Sequence, residues 1–310
     1  MFQLQWQQLS HPVLSSLATD VWLASVPSMI PRLTGNKCLK LKYHIQHIAQ
    51  TQAVGIVSFG GAFSNHLAAL AAAGAHFGFA TVGLVRSHSP LPSNPTLDFC
   101  RAHGMNLVAL SRRDYQRRHD ADFIEWLKLQ YPEFHLVPEG GSDLLGIAGA
   151  ASIDVSKTPA GPATHLVLAT GSGGTLAGMA RTFQGQVTGI DVVGDERVKT
   201  RLGEWLIGHD HWQLRASVDS SGYGRFSTET LQACLQMLEQ GVIFEPIYTG
   251  KAWLSLLRLL QTGQLPAGER YVVFHSGGLQ GLQGLAARGL ITPAQWYAFE
   301  QALIKQQLLD

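Results

Sequence analysis

Predicted buried β-strands, several of which end in glycine-rich turns, are the sequence feature that most constrains how this chain can fold. Four short apolar runs are predicted as buried strands, at residues 54–59, 80–85, 165–169 and 271–275, and all but the run at 80–85 end in such a turn. They alternate with segments of helical period, and no tight hairpin signal joins them. Parallel strands need crossover connections, which place helices on the faces of the sheet. The sequence therefore predicts an α/β protein with open, twisted, mostly parallel sheets and helices on both faces.

Composition and charge limit the kind of ligand. With 310 residues, 45% of them hydrophobic and 15% charged, the chain can bury large cores in one α/β unit or two joined domains. The 23 basic and 22 acidic residues give a net charge of +1. Nucleic-acid and anionic-membrane binding usually need a basic surface, so neither partner is predicted. A small molecule is the expected ligand.

The cysteines and the N-terminal residues indicate a cytoplasmic location. Cys38, Cys100 and Cys234 lie far apart without a CxxC pair, which favours reduced thiols over disulfides. Residues 1–8 have neither a basic region nor an apolar region of the kind that a secretion signal requires. No run of eighteen apolar residues occurs. We therefore expect a soluble protein that is not exported.

Several segments give weaker structural signals. Residues 1–33 are expected to form an arm with one short strand at 21–24, and residues 112–122 a solvated connection. Residues 197–225 are predicted to be rich in loops. A C-terminal helix is predicted from Pro293 to about Leu309. Its expected packing face consists of Trp296, Phe299, Leu303 and Ile304.

A glycine-rich turn is the best phosphate-binding candidate. The strand at 165–169 leads into a turn and a helix that begins near Leu176; the turn is Thr170, Gly171, Ser172, Gly173, Gly174 and Thr175. Such a turn offers converging N–H donors at a positive helix end. A dinucleotide is the rival ligand because Asp191 follows at a suitable distance, but Leu176 replaces the third glycine of that motif. A tight turn without a ligand is the remaining alternative.

A second candidate site lies at the junction of Gly35 with a predicted helix. Lys37 and Lys40 are three residues apart and would share one helical face. Two lysines on a first helical turn are ordinarily solvated charges. Three further segments accompany them, at residues 58–66, 248–251 and 275–278.

In chain order, these five segments resemble the pyridoxal-phosphate (PLP) enzymes of fold type II, the tryptophan-synthase-β type. The resemblance is to the branch of D-cysteine desulfhydrase and 1-aminocyclopropane-1-carboxylate (ACC) deaminase, and it covers about Thr34 to Leu285. It implies a larger domain of residues 1–50 and 151–310 and a smaller inserted domain of residues 51–150. PLP would bind at the carboxyl ends of the strands. Members are commonly homodimers, so a homodimer is expected.

The resemblance also assigns roles to individual residues. Lys37 would bind PLP covalently, and Lys40 with the turn at 170–175 would hold its phosphate. Asn65 would bond the 3′-oxygen of the cofactor, and Ser64 would contact the substrate carboxylate or transfer a proton. Further candidates are Tyr223 and Tyr248, bordering the substrate, and Thr249, facing the pyridine nitrogen. No metal is predicted, because His209 and His211 lack a third ligand nearby.

Thr249 carries the prediction of the reaction. ACC deaminases have glutamate at the matching position, whereas desulfhydrases of this branch resemble the present chain in having threonine. The resemblance thus implies α,β-elimination from D-cysteine or a similar amino acid, giving pyruvate, hydrogen sulfide and ammonia. ACC deamination and β-replacement are the alternatives within the enzymes. A non-catalytic PLP- or amino-acid-binding protein is the other alternative, because residues 24–29 and Phe63 depart from the family pattern.

Overall fold

The computed structural model describes residues 3–27, 30 and 32–308. The strands in this part of the chain are β1 (Gln5–Leu9), β2 (Asp20–Ser25), β3 (Gly55–Gly61), β4 (Ala80–Arg86), β5 (Asn106–Leu110), β6 (Phe134–Val137), β7 (Lys157–Thr158), β8 (Gly161–Pro162), β9 (His165–Thr170), β10 (Gln186–Asp191), β11 (Trp212–Ala216) and β12 (Arg270–His275). Its α-helices are α1 (Pro12–Ser16), α2 (Gly35–Ala49), α3 (Asn65–Phe77), α4 (Pro95–Ala102), α5 (Arg112–Gln116), α6 (Ala121–Gln130), α7 (Leu144–Ala150), α8 (Gly174–Ala180), α9 (Glu196–Trp205), α10 (Thr228–Glu239), α11 (Thr249–Gln261), α12 (Gly281–Ala287) and α13 (Pro293–Lys305). No helix in the described residues has both the length and the apolar character needed to cross a membrane.

The described residues form two compact units. The first unit contains residues 3–27 and 150–279, and the second contains residues 30, 32–149 and 280–308. These bounds differ from those of the predicted domains, because α2 packs against α3 and β6 and α12 packs against α4. Contacts of this kind between distant segments leave no local signal in the sequence. The division into folding domains stays a prediction.

The first unit is built on a six-stranded sheet. Its strand order is β1-β2-β12-β9-β10-β11, in which β1 is antiparallel to β2 and every other pair is parallel. The central strands β9 and β12 are nearly fully buried. Helices α8 and α11 both pack against β9 and β10.

The second unit contains a four-stranded sheet in the order β5-β4-β3-β6, with every pair parallel. Helix α3 packs on β3 and β4, and its side facing the sheet is a run of small and apolar residues. Mostly parallel sheets with packed helices confirm the predicted fold class. Both sheets present the carboxyl ends of several strands along one edge, as parallel pairing requires.

The structure adds detail to two predictions about local structure. Residues 112–122 connect β5 to α6 and are mostly exposed, as predicted, but they also form α5, and Tyr115 is buried in the core of the second unit. Residues 197–225 are loop over about half of their length, which agrees with the prediction. They contain most of α9, which buries Val198 and Leu202, and also β11, which pairs in parallel with β10.

The chain termini show two further differences. The N-terminal segment contains β1, which pairs with β2, in addition to the strand predicted at 21–24. The C-terminal helix α13 ends at Lys305, and Phe299 and Leu303 are buried as predicted. Ile304 was wrongly placed on the packing face, since 55% of it is exposed. Leu309, the predicted end of the helix, lies outside the described residues.

Candidate active site

Lys37 lies on the first turn of α2 in the second unit. Gly35 begins the helix with a φ of +55°, a backbone conformation that glycine adopts at little cost. The Nζ atom of half-buried Lys37 donates a hydrogen bond to Oδ1 of Asn36 at 2.8 Å. This amide oxygen is a neutral acceptor, so the contact orients the lysine without forming an ion pair.

Lys40 lies one turn further along α2 and is almost fully buried. Its Nζ atom donates to Oγ of Ser142 at 2.6 Å. Ser142 follows a 3-10 turn at Glu139–Gly141, where Gly141 has a φ of +62°. A Cβ atom at Gly141 would lie 3.3 Å from Cε1 of His66 and 3.5 Å from Cβ of Lys40. The turn therefore packs closely against both side chains.

His66 is a buried residue of this region that the sequence reasoning did not select. Its Nε2 atom lies 2.9 Å from Oγ of Ser58, which donates its own proton to the carbonyl of Val137 at 2.8 Å. The hydroxyl can then only accept from His66, so Nε2 carries the proton. Burial, together with the positive charges of Lys37 and Lys40, holds the pKa of His66 well below its ordinary value. Its position next to Asn65 was the available signal.

Ser64 and Asn65 begin α3. Ser64 is the N-cap, and its Oγ atom accepts a hydrogen bond from the backbone N–H of Leu67 at 3.2 Å. The Oδ1 atom of Asn65 is buried and has no hydrogen-bond partner in the described part of the chain. A buried acceptor of this kind is costly unless a ligand or water satisfies it.

Phe63, which departs from the family pattern, is used in packing. A Cβ atom at Gly284 of α12 would come within 2.7 Å of its ring, and the guanidinium of Arg288 stacks over the ring at 4.5 Å. The aromatic side chain is thus held between two positions of α12. This contact explains how phenylalanine is accommodated directly before Ser64.

In the first unit, β9 delivers the glycine-rich turn to the start of α8. Gly173 is the N-cap with a φ of +89°, and the helix begins at Gly174. The first N–H groups of a helix have no partner within it and attract anions. Thr170, although part of the predicted set, is directed elsewhere: a Cβ atom at Gly189 of β10 would lie 2.5 Å from its hydroxyl. Its side chain therefore packs against the neighbouring strand.

The two candidate tyrosines of the first unit contact each other. The hydroxyl of Tyr248 donates to that of Tyr223 at 3.2 Å, and the rings are 6.4 Å apart in an edge arrangement. Tyr248 also lies beside the glycine-rich turn, since a Cβ atom at Gly171 would be 3.8 Å from its ring. About half of Tyr223 is exposed. This pair could therefore contact a ligand held by the turn.

Thr249, the first residue of α11, is buried and bonded to Glu245. Its Oγ1 atom accepts from the backbone N–H of Glu245 at 2.9 Å and lies 3.2 Å from Oε1 of the same residue. The carboxylate in turn accepts from the backbone N–H groups of Ile247, Tyr248 and Thr249. Burial raises the pKa of Glu245 to about 7, although these hydrogen bonds oppose the shift. Sequence reasoning missed Glu245, whose signal was an acidic residue just before a helix.

The structure divides the predicted residues between the units. Lys37, Lys40, Ser64 and Asn65 lie in the second unit, and those at 170–175, 223, 248 and 249 lie in the first. Among the described residues, no group of three or more histidine, cysteine or acidic side chains could hold a metal. Cys38, Cys100 and Cys234 are buried free thiols.

Comparison with known proteins defines the class. A family model described as "Pyridoxal-phosphate dependent enzyme" matches residues 28–277, and the chain belongs to this family. A Pyrococcus furiosus protein provisionally named as an ACC deaminase is 27% identical over 276 residues, which cover 80% of this chain and 81% of that protein. The bifunctional D-cysteine desulfhydrase/ACC deaminase of Arabidopsis thaliana is 25% identical over 296 residues, covering 85% of this chain and 73% of that protein. A crystal structure of an ACC deaminase homologue aligns with a TM-score of 0.74 at 24% identity, covers 94% of each chain and supports the fold.

The cofactor of this family is PLP, and the residues present fit it. PLP needs an amine for covalent attachment, N–H donors for its phosphate and polar contacts for its ring. Lys37 supplies an amine, the start of α8 supplies N–H groups, and the buried Oδ1 of Asn65 is an acceptor in need of a partner. These features are consistent with the family assignment.

Proposed function

We propose that the protein is a lyase that removes hydrogen sulfide from D-cysteine, or the equivalent leaving group from a related β-substituted amino acid. Water completes the reaction, and the products from D-cysteine are pyruvate, hydrogen sulfide and ammonia. Thr249 is the observation that carries the proposal. It supplies a hydroxyl where ACC deaminases have a carboxylate.

The environment of Thr249 supports this choice. Glu245 is the nearest carboxylate along the chain, but its oxygens accept hydrogen bonds from the first N–H groups of α11. The hydroxyl of Thr249 is the group that α11 would offer to the cofactor's ring nitrogen, and its proton would have to turn from Glu245, whose oxygens lie 3.2 Å away, towards that nitrogen. A hydroxyl contributes a hydrogen bond without a full negative charge. Sulfide is a good leaving group, so its elimination needs less ring activation than the opening of a cyclopropane.

Lys37 and Ser64 would handle the protons. Bound PLP supplies the electron withdrawal that acidifies the Cα–H bond of an amino acid and allows a β-substituent to leave. Lys37 is assigned covalent attachment and then general-base catalysis at Cα, for which its hydrogen bond to Asn36 orients Nζ. Ser64 keeps its hydroxyl proton available, because in its capping bond it acts as an acceptor.

The remaining assigned residues would bind and orient. Lys40 and the turn at 170–175 are assigned to the phosphate. Within the turn, backbone N–H groups would supply most of the hydrogen bonds to it, because the side chain of Thr170 is directed towards β10. Asn65 is assigned to the 3′-oxygen. Tyr223 and Tyr248 would border the amino acid and exclude water from it.

ACC deamination is the second candidate. It is favoured by the names of the relatives, because the Pyrococcus protein and one activity of the Arabidopsis protein carry it. Ammonia released from ACC, with no sulfide released from D-cysteine, would support this candidate against the first. The homodimer stays a prediction, which the molar mass in solution tests.

The deciding experiment combines a spectrum with product assays. We expect purified protein to show the visible absorbance band of enzyme-bound PLP, and the Lys37→Ala variant to lose that band and all turnover. Sulfide and pyruvate should form from D-cysteine faster than from L-cysteine. A band without sulfide release from either enantiomer would exclude cysteine as the substrate, and a band without elimination from any β-substituted amino acid would refute the proposed reaction. No band after incubation with PLP, in folded protein, would leave only the non-catalytic alternative of an amino-acid-binding protein.

A further inference from the structure

A buried lysine near the start of α11 has no role in the reaction proposed above. Lys251 is the third residue of this helix, and only 1% of it is exposed. A cation at this end of a helix interacts unfavourably with the helix dipole, and a buried lysine needs polar partners. Polar contacts must therefore compensate for the burial of this charge.

Those contacts lie on one loop, residues 217–227, between β11 and α10. The Nζ atom of Lys251 donates to the carbonyl of Gly222 at 3.1 Å and to Oγ of Ser221 at 3.3 Å. The carboxylate of Asp219 is 3.9 Å away and equally buried. Lys251 thus joins α11 to the middle of this loop through one charged group.

Asp219 fixes the base of the same loop. Its carboxylate accepts from the backbone N–H groups of Ser221 and Ser227 at 3.0 and 2.7 Å, and from the hydroxyl of Thr230 at 2.6 Å. Gly222 has a φ of +88°, and its carbonyl also accepts from the N–H of Arg225 at 3.3 Å. Residues 222–225 therefore form a closed turn, and the carbonyl of Gly222 in this turn faces Lys251.

Tyr223 follows Gly222 directly and is the exposed tip of this turn. The hydroxyl of Tyr223 bonds to that of Tyr248, and the turn that carries Tyr223 is bonded to Lys251, which lies beside Asp219. A hydrogen bond between two phenols near solvent exchanges readily with water and holds a loop weakly. A buried, charge-assisted contact is more persistent.

We propose that Lys251 is a positioning residue, which fixes the Gly222 turn on α11 and so sets the place of Tyr223 beside Tyr248. Lys251 does not touch the amino acid in this scheme; it acts through Tyr223. Its effect on catalysis rests on the proposed function, but its effect on the loop does not.

Native-state trypsin digestion tests the effect on the loop. Arg225 is exposed and belongs to the closed turn, so cleavage between Arg225 and Phe226 requires the turn to open. We expect Lys251→Met to increase the rate of this cleavage at least about 10-fold, as for a local opening that has become more frequent. Ser221→Ala, which removes one acceptor, should cause a smaller increase. Arg258→Met is the matched control, because it removes a partly exposed cation from the same helix that pairs with Glu229 instead.

Kinetics provides the second readout. In the Lys251→Met enzyme, KM for the amino acid should rise several-fold while the PLP absorbance band stays at the wild-type wavelength and intensity. Cleavage after Arg225 at the wild-type rate in folded Lys251→Met protein would overturn the proposal. If Lys251→Met does not fold, the proposal fails when Ser221→Ala leaves the cleavage rate unchanged. The two proposals can fail independently. If Lys251→Met is cleaved faster than the wild type, but the wild type turns over neither D-cysteine nor ACC, the effect of Lys251 on the loop is supported and the proposed function is refuted.

Discussion

The carboxylate of Glu245 accepts a hydrogen bond from the backbone N–H of Thr249 at 2.8 Å, and both residues are almost fully buried. Burial raises the pKa of Glu245 from its ordinary 4.5 to about 7. Folding therefore takes up a proton between these two pH values. The protonated form stabilises the fold fully below pH 4.5, and this stabilisation is lost as the pH rises through 7. The total loss in free energy of unfolding is about 3 kcal/mol.

Glu245→Gln isolates this effect because glutamine does not titrate. Relative to the variant, the wild type should lose free energy of unfolding between about pH 4.5 and 7, and the difference should level off above that range. Urea unfolding at a series of pH values measures the difference. If the two proteins keep a constant difference across this range, Glu245 titrates at its ordinary pKa.

The Thr249 hydroxyl is expected to stabilise the start of α11. Thr249→Val keeps the shape of the side chain but leaves the buried N–H of Glu245 without the acceptor that it has at 2.9 Å. An unsatisfied buried donor costs about 1 to 3 kcal/mol, which urea unfolding measures. Thr249→Ser retains the hydroxyl and should cost less. Equal stability of the valine and serine variants would contradict the role given to this bond.

Gly173 is expected to be needed for both stability and PLP retention. Gly173→Ala puts a side chain at a φ of +89° and a Cβ atom 3.3 Å from Cδ2 of Leu202, so we expect a loss of about 1 to 2 kcal/mol and weaker PLP binding. The cofactor retained after dialysis and the midpoint of urea unfolding measure the two effects.

Gly194→Ala is a matched control for this variant. Gly194 also has a positive φ, but an added Cβ atom would meet nothing within 4 Å. It should lose some stability through backbone strain and keep its PLP. Equal loss of PLP in both variants would show that the turn at 170–175 does not hold the phosphate.

Asp143 is expected to stabilise the second unit at neutral pH. Burial opposes the shift, but the hydrogen bond and charge of His44, 3.1 Å away, lower the pKa of Asp143 below its ordinary 3.8. The stabilisation is present above that pH and is lost as the pH falls through the folded-state pKa. Asp143→Asn should cost about 1 kcal/mol at pH 7, since a third of the carboxylate side chain is exposed.

Acid unfolding followed by circular dichroism tests this prediction. The stability difference between wild type and Asp143→Asn should shrink as the pH falls below about 4. A difference that is independent of pH would mean that the ion pair with His44 contributes nothing.

Local patterns predicted the elements that bear the candidate residues. The strand at 165–169 with its glycine turn, and the helix that follows Gly35, form where they were expected, because hydrophobic period and glycine content act over a few residues. The missed helix α9 also had a local signal, since Val198 and Leu202 are spaced as neighbours on a helix. Strand β1 had a weaker local signal in the sequence, because an edge strand that is mostly exposed lacks a strong apolar run.

The sequence by itself determined the α/β class, the glycine-rich turn that we predict to bind phosphate, and the family resemblance that points to PLP. Only the tertiary structure decided which polar groups meet: Lys40 with Ser142, 102 residues apart, and Lys251 with Gly222, 29 residues apart. Periodicity tells which face of a helix is buried but not which loop covers it. The partner of a buried lysine depends on how whole elements pack, and that packing is settled by the combined burial of many distant residues.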